Sequence, residues 1–137
     1  MLKNFVVAAT LAFSAFSLAN VAVIVHPSNS AALSQDDLNK IYMGRSKSFA
    51  DGKAAEAVNL ADSVAARADF DQKALGRSSS QMKAYWSKLV FTGKGTPPKE
   101  LGSEQEVLDY VANTPGAIGY VSASAVNDKV KVALSLN

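Results

Sequence analysis

The sequence predicts an α/β domain of three layers (α/β/α), in which helices cover both faces of a small mixed β-sheet. Residues 21–25 are a continuous apolar, β-branched run, which indicates a strand buried on both faces. Residues 117–121 form a second predicted strand, and the segments between the two carry apolar residues at helical spacing. Each of these helical segments begins near a serine, a residue that suits the N-cap position.

The first helix is predicted over residues 34–43. Ser34 is its N-cap, and Asp36 and Asp37 lie in the first turn, where the helix dipole favours negative charge. Gly44 suits the left-handed conformation that ends many helices. A short strand over residues 57–60 follows.

The second helix is predicted over residues 63–75, with Gly76 ending it. Ser78 and Gln81 form a capping box for a third helix. Its predicted apolar face consists of Met82, Tyr85, Trp86, Leu89 and Val90. These aromatic residues could also form a stacking surface for a ligand, but their spacing favours a core role.

The remainder of the chain is predicted as a loop, a fourth helix and two strands. Residues 92–102 contain several glycines, prolines and charges, which is typical of an exposed loop. Ser103 and Glu106 form a further capping box, and Pro115 and Gly116 end the helix. The last strand, over residues 129–134, alternates between apolar and polar residues.

The first 19 residues have the composition of a secretory signal peptide. Lys3 supplies positive charge, residues 5–16 are mostly apolar, and Ser17 and Ala19 are small residues before a cleavage site. We therefore predict a signal peptide over residues 1–19 and one domain over residues 20–137. An uncleaved membrane anchor is the alternative, although the apolar run is shorter than the roughly 20 residues that a spanning helix needs.

The chain has no cysteine, which excludes disulfides, thiolate metal sites and a lipid anchor on an N-terminal cysteine. An exported protein without a lipid anchor is retained only behind a second membrane. We therefore expect the periplasm of a Gram-negative bacterium.

The composition also argues against several function classes. The 14 Lys and Arg and 12 Asp and Glu form no basic block with interleaved aromatics, so we expect no nucleic-acid binding. His26 is the only histidine, and no carboxylates stand at ligand spacing beside it, so we expect no metal and no cofactor. A Gly-x-Ser-x-Gly motif is also missing, and we expect no enzyme.

Four segments together resemble a known family. They are the capped helix that leads to Phe49-Ala-Asp-Gly52, the segment Arg67-Ala-Asp-Phe70, the segment from Tyr85-Trp86 to Phe91-Thr-Gly93, and Pro115-Gly-Ala-Ile-Gly-Tyr120. Their order and spacing over residues 21–121 resemble the second lobe of periplasmic solute-binding proteins, specifically the phosphate-binding proteins of ABC transporters. The resemblance implies the fold of one lobe of a type II periplasmic binding protein, in a short, single-lobe form.

In that family, the ligand lies between two lobes and is held by free N–H groups at helix N-termini. The anion loop of the family, of the type Arg-x-Asp-Gly-Ser-Gly-Thr, falls on residues 60–66, where only Asp62 matches. Leu60, Val64 and Ala66 replace its arginine, serine and threonine. The resemblance therefore implies weak binding of phosphate or another small oxyanion at most.

Two groups of residues are candidates for such an oxyanion. Asp62 and Ser63 at the start of the second helix, with Arg67 one turn later, are the first group. The alternative is that Asp62 or Ser63 caps the helix and Arg67 forms a structural ion pair.

The second group, Ser28, Asn29 and Ser30, follows the first strand. Loops after strand ends often hold ligands in open α/β sheets. Here the alternative is a local Asx or Ser turn.

Two hypotheses for function follow. The first is a periplasmic, non-enzymatic binding module with an accessory or sensor role, which binds phosphate or another small oxyanion weakly or contacts a membrane partner, an ABC permease or a sensor protein. The second is a structural or interaction module that has lost its ligand. We also predict either a weak homodimer or a contact with another protein through the face that carries Asn29, Asp62, Ser63 and Arg67, where Val64 and Ala66 replace hydroxyl residues.

Overall fold

The structure is a computed structural model that describes residues 20–137. The predicted signal peptide, residues 1–19, lies outside the described residues. Within residues 20–137 the strands are β1 (Val21–Val25), β2 (Glu56–Leu60), β3 (Lys99–Leu101), β4 (Ala117–Ser122) and β5 (Lys131–Leu136). The α-helices are α1 (Gln35–Tyr42), α2 (Ala65–Phe70), α3 (Ser79–Phe91) and α4 (Glu104–Asn113). A π-helical segment (Asp71–Leu75) continues α2, and a 3₁₀ turn (Ala123–Ala125) follows β4.

The strands form one mixed sheet in the order β3-β2-β4-β1-β5. Strand β2 runs parallel to β3 and β4, whereas β1 runs antiparallel to β4 and β5. All five residues of β1 are buried, as its continuous apolar run predicts.

Strand β4 shows that helices cover both faces of the sheet. A Cβ added to Gly119 would lie 2.8 Å from Cγ1 of Val107, so this residue faces α4. The next residue, Tyr120, points to the opposite face, where its ring stacks on Phe70 with centroids 3.8 Å apart. The predicted α/β/α arrangement is therefore confirmed.

Side-chain caps fix the starts of three helices. Ser34 and Asp37 form a complete capping box for α1, and Ser78 and Gln81 do the same for α3. At α4 only half of the predicted box forms: the Ser103 side chain accepts from the Glu106 N–H, but the Glu106 carboxylate accepts from the N–H of Gly102.

Two tyrosine hydroxyls lie where β2 and β4 move apart. The ladder between these strands pairs only residues 56–57 with residues 117–118. Beyond it, the Tyr42 hydroxyl donates to the carbonyls of Val58, at 2.8 Å, and Ile118, at 3.1 Å. The Tyr120 hydroxyl accepts from the N–H of Leu60 at 3.2 Å. These contacts satisfy buried strand groups that the ladder leaves unpaired.

Four predictions about the elements need correction. Residues 99–101 of the predicted loop form β3, a short edge strand paired with β2. Helix α2 begins at Ala65, two residues later than predicted, and the last strand is shifted to Lys131–Leu136. On α3, Val90 is 51% exposed and lines a cleft, so it is not part of a buried face as predicted.

Candidate functional site

Arg67 lies on α2 at the edge where β2 and β4 end, and it is only 4% exposed. Its Nε donates to Oδ2 of Asp71 at 2.9 Å, and its Nη1 donates to the Leu60 carbonyl at 2.7 Å. Nη1 also lies 3.2 Å from Oε2 of Glu100 and 3.4 Å from Oδ1 of Asp62. Three carboxylates of the protein therefore contact this one guanidinium.

The charges around Arg67 disfavour a bound anion. Burial alone would lower the pKa of Arg67, but the neighbouring Asp71 carboxylate raises it, so the side chain stays positive. The second cation, Lys83, has its Nζ 3.1 Å from Oδ2 of Asp62. The cluster thus has two cations against the carboxylates of Asp62, Asp71 and Glu100. The structure favours the ion-pair alternative for Arg67.

Asp62 and Ser63 are exposed and lie in a turn before α2. The N-cap of this helix is Val64, and no side chain caps its free N–H groups. Capping by Asp62 or Ser63 is therefore wrong, because the Asp62 carboxylate pairs with Arg67 and Lys83.

The second group forms a local turn. Oδ1 of Asn29 accepts from the N–H of Ala31 at 2.9 Å, and Oγ of Ser28 lies 2.8 Å from Nδ1 of His26. This is the Asx turn that the sequence leaves open as the alternative. Ser30 is exposed beside it. Ser28 and Asn29 also line a small cavity of 190 Å³, together with Lys53.

The structure places the two candidate groups, residues 28–30 and residues 62–67, at opposite edges of the sheet, that is, at opposite ends of β4. Val21 of β1 pairs with Ser122 of β4, and Val25 pairs with Ile118. The loop after Val25 therefore lies at the edge where β4 begins, whereas Asp62, Ser63 and Arg67 lie where β2 and β4 end. A strand of five or six residues is about 17–20 Å long. The two groups cannot contact one small ligand, and Asn29 does not share a face with Arg67.

Glu104 is a residue of this edge that the sequence did not single out. Its Oε2 accepts from the N–H of Ser122 at 2.6 Å and from the Ser122 hydroxyl at 2.8 Å. A carboxylate of the protein thus holds donors at the end of β4. Beside it lies a cavity of 370 Å³, which we call the Val64 cavity and which is lined by Val64, Ala65, Ala66, Asp69, Glu104, Ser122 and Ser124.

Asp71 and Glu100 are two further residues of this site that the sequence did not single out. Asp71 stands four residues after Arg67, a spacing typical of helical ion pairs, so it could have been found. Glu100 could not, because it comes close to Arg67 only through the pairing of β3 with β2.

The described part of the chain gives no sign of a metal centre or of a membrane span. Within residues 20–137, no group of three or more His, Cys, Asp and Glu side chains could hold a metal ion. In the same range, no helix has both the length and the apolar character required to cross a bilayer.

Solved structures share the fold that carries this edge. An ABC-type phosphate transport receptor from Vibrio cholerae aligns with a TM-score of 0.64 and 18% identity, covering 82% of this chain and 44% of that chain. A substrate-binding protein assigned to a phosphate ABC transporter of Clostridium perfringens, with bound phosphate, aligns with a TM-score of 0.65 and 19% identity. The alignment covers 82% of this chain and 43% of that chain. PstS from Borrelia burgdorferi aligns with a TM-score of 0.54 and 14% identity, and the alignment covers 75% of this chain and 40% of that chain.

These comparisons define the class of fold. The chain has the fold of one lobe of phosphate ABC transporter substrate-binding proteins, and it spans less than half the length of the proteins it matches. No protein-family model matches the sequence, and no curated protein matches it either.

Proposed function

We propose that this chain is a non-enzymatic, single-lobe module of an ABC transport or sensing system, which contacts a partner protein and does not capture phosphate tightly by itself. The observation that supports this is the pairing of Arg67 with the protein's own carboxylates. The main cation of the predicted anion site is already neutralised. Of the two hypotheses from the sequence, the interaction module therefore has the stronger support.

The edge around the Val64 cavity is the proposed contact face. In the family that the sequence resembles, this edge carries the anion loop and faces the second lobe. Here Val64 and Ala66 stand in place of hydroxyl residues, and Asp69 and Glu104 line the same cavity. Protein interfaces combine an apolar centre with a polar rim, and residues of both kinds line this cavity. The proposed partner is a permease or sensor protein with basic groups at this position.

Calorimetric titration with phosphate and with sulfate at low salt tests the ligand part of the proposal. We expect no binding at micromolar concentrations, because an added anion would meet an excess of negative charge at Arg67. Saturable heat at micromolar phosphate would contradict the proposal.

Capture from solubilised inner membrane tests the partner part. The immobilised chain should retain a transport permease or sensor protein, identified by mass spectrometry, and Val64→Lys should abolish the capture. Val132→Lys is the matched control, because Val132 is an exposed apolar residue of β5, away from this edge. Equal capture by both variants would count against the Val64 face. Sedimentation of the same proteins tests whether this face also forms the weak homodimer predicted from the sequence.

A weak oxyanion site at the opposite edge is the second candidate function. Ser28 and Asn29 line their cavity with the cation of Lys53, and no carboxylate lines it. Millimolar phosphate should shift backbone NMR signals of residues 28–29, and Lys53→Ala should remove these shifts. Lys47→Ala is the control, since Lys47 is exposed but does not line this cavity. Shifts that persist in Lys53→Ala would refute the site.

Export to the periplasm is part of the same proposal. Its basis is the charge and apolar pattern of residues 1–19. N-terminal sequencing of the protein recovered from a periplasmic fraction should begin at Asn20. A product that retains Met1 and stays with the membrane would support the uncleaved anchor instead.

A further inference from the structure

A cleft lies between α3 and the β2–β3 edge of the sheet, and we call it the α3 cleft. It has a volume of 450 Å³, within the range of small-molecule sites. Its apolar wall is formed by Met82, Trp86, Val90, Phe91, Pro97 and Pro98. Phe91 is 91% exposed and Val90 is 51% exposed, so a substantial apolar surface faces solvent here. Neither the predicted oxyanion groups nor the Val64 cavity uses this wall.

The inner end of the α3 cleft is polar and is formed by Asn59 and Arg67, which are 7% and 4% exposed. The Asn59 Oδ1 accepts from Tyr120 and Leu60, but its Nδ2 donates no hydrogen bond to any described residue. The Nη2 of Arg67 likewise has no acceptor within residues 20–137, since Nε and Nη1 make the contacts given above. Two nearly buried side chains thus bring unpaired donors to a cleft whose wall is largely apolar.

The charges at this end select the kind of molecule that fits. Arg67 and Lys83 are outnumbered by Asp62, Asp71 and Glu100, so a further anion is disfavoured. A neutral acceptor oxygen can accept from such a donor without adding charge to this end. Leaving such donors unpaired against an apolar ligand would disfavour its binding.

We propose that the α3 cleft binds a small, neutral, planar molecule whose ring body packs on Trp86 and Phe91 and whose carbonyl oxygen accepts from Asn59 and Arg67. This site goes beyond the proposed partner contact and does not depend on it. A cleft of this volume accommodates a molecule of two or three rings.

Coumarin is a suitable probe, because it is a neutral bicyclic lactone with a carbonyl oxygen. Trp86 is the only tryptophan of the chain, so its indole N–H gives a single, identifiable signal in the NMR spectrum of the ¹⁵N-labelled full chain. Coumarin should shift this signal saturably. Indole, which donates but offers no carbonyl, and coumarin-3-carboxylate, which adds a negative charge, should each bind about tenfold more weakly.

Two variants locate the binding in the cleft. Phe91→Ser should weaken coumarin binding about tenfold by removing apolar contact, whereas Val132→Ser, which removes an exposed apolar residue elsewhere, should not change it. Ser87→Tyr should block binding by filling the cleft, since Ser87 is exposed and lines it. The proposal is overturned by an unshifted Trp86 signal, by equal affinity for the three probes, or by normal binding in both cleft variants.

Discussion

At the scale of single residues, the ion pair of Arg67 and Asp71 connects α2 to the edge of the sheet. Both side chains are buried, at 4% and 0% exposure, and their atoms are 2.9 Å apart. The same guanidinium also donates to the Leu60 carbonyl at the end of β2. A residue with these contacts contributes to folding, and its position near a family ligand site does not by itself make it a ligand residue.

Replacing Arg67 by Leu should lower the free energy of unfolding by about 3–5 kcal/mol, because Asp71 would remain buried without a counter-charge. Urea denaturation followed by Trp86 fluorescence measures the change. Lys40→Leu is the control: Lys40 pairs with Asp36 at 3.2 Å, but both side chains are more than half exposed. We expect a change within about 0.5 kcal/mol for the control. If Arg67→Leu lowered the free energy of unfolding by as little as the control does, the buried pair of Arg67 and Asp71 would not be needed for stability.

At the scale of elements, the glycine that ends α1 determines how closely α3 can approach. Gly44 has a φ of +78°, and a Cβ there would lie 2.7 Å from Cη2 of Trp86. Gly76, after the π-helical segment, has a φ of +66°, but a Cβ added to it would have no neighbouring atom within 4 Å. The two glycines therefore share a backbone requirement and differ in the space around them.

Gly76→Ala should destabilise the protein by about 1–2 kcal/mol, because only the left-handed backbone is unfavourable for alanine. Gly44→Ala should destabilise the protein by about 1–3 kcal/mol more than Gly76→Ala does, because Trp86 must also move. Thermal and urea denaturation of the two variants measure the difference. Equal losses would mean that the indole ring moves away without a penalty.

The elements also show what the sequence can and cannot predict. Helices α1 and α3 were predictable because their capping boxes are local. Strand β3 was not, because it has three residues after two prolines and exists only through pairing with β2. The start of α2 was misplaced because Asp62 resembles a cap but pairs with Arg67 instead.

In the candidate site, too, the sequence predicts the local features and not those that depend on strand pairing. The local Asx turn at Asn29 was open to prediction from residue type alone. The separation of Asn29 from Arg67 depends on the antiparallel pairing of β1 with β4, which no local signal gives. The charge balance at Arg67 depends on Glu100, which only the sheet brings near.

At the scale of the whole molecule, the buried apolar residues form one continuous cluster that includes residues of every layer. We therefore predict that residues 20–137 unfold in a single cooperative transition, although the chain covers only 44% of the phosphate transport receptor from Vibrio cholerae. Circular dichroism and Trp86 fluorescence should give the same melting temperature. Two separate transitions would show that the described residues do not unfold as a single cooperative unit.

The stability of the whole domain should also fall at alkaline pH. Burial raises the pKa of the hydroxyls of Tyr42 and Tyr120, which are 1% and 0% exposed. Below the unfolded tyrosine pKa of about 10, both states keep their protons and the contribution of these groups is fully present. Above that pH the unfolded chain releases protons that the folded chain retains, so the free energy of unfolding falls as pH rises.

Each of these tyrosines should add about 1.4 kcal/mol per pH unit to this fall, until the folded protein itself ionises. Urea denaturation repeated between about pH 9.5 and 11.5 measures the slope of the free energy of unfolding against pH. This slope should be smaller for Tyr42→Phe than for the unmodified chain, by the contribution of one tyrosine. All other side chains are the same in the two proteins, so their contributions cancel in the comparison. Identical slopes would mean that the Tyr42 hydroxyl ionises as easily in the fold as in the unfolded chain, against its burial between β2 and β4.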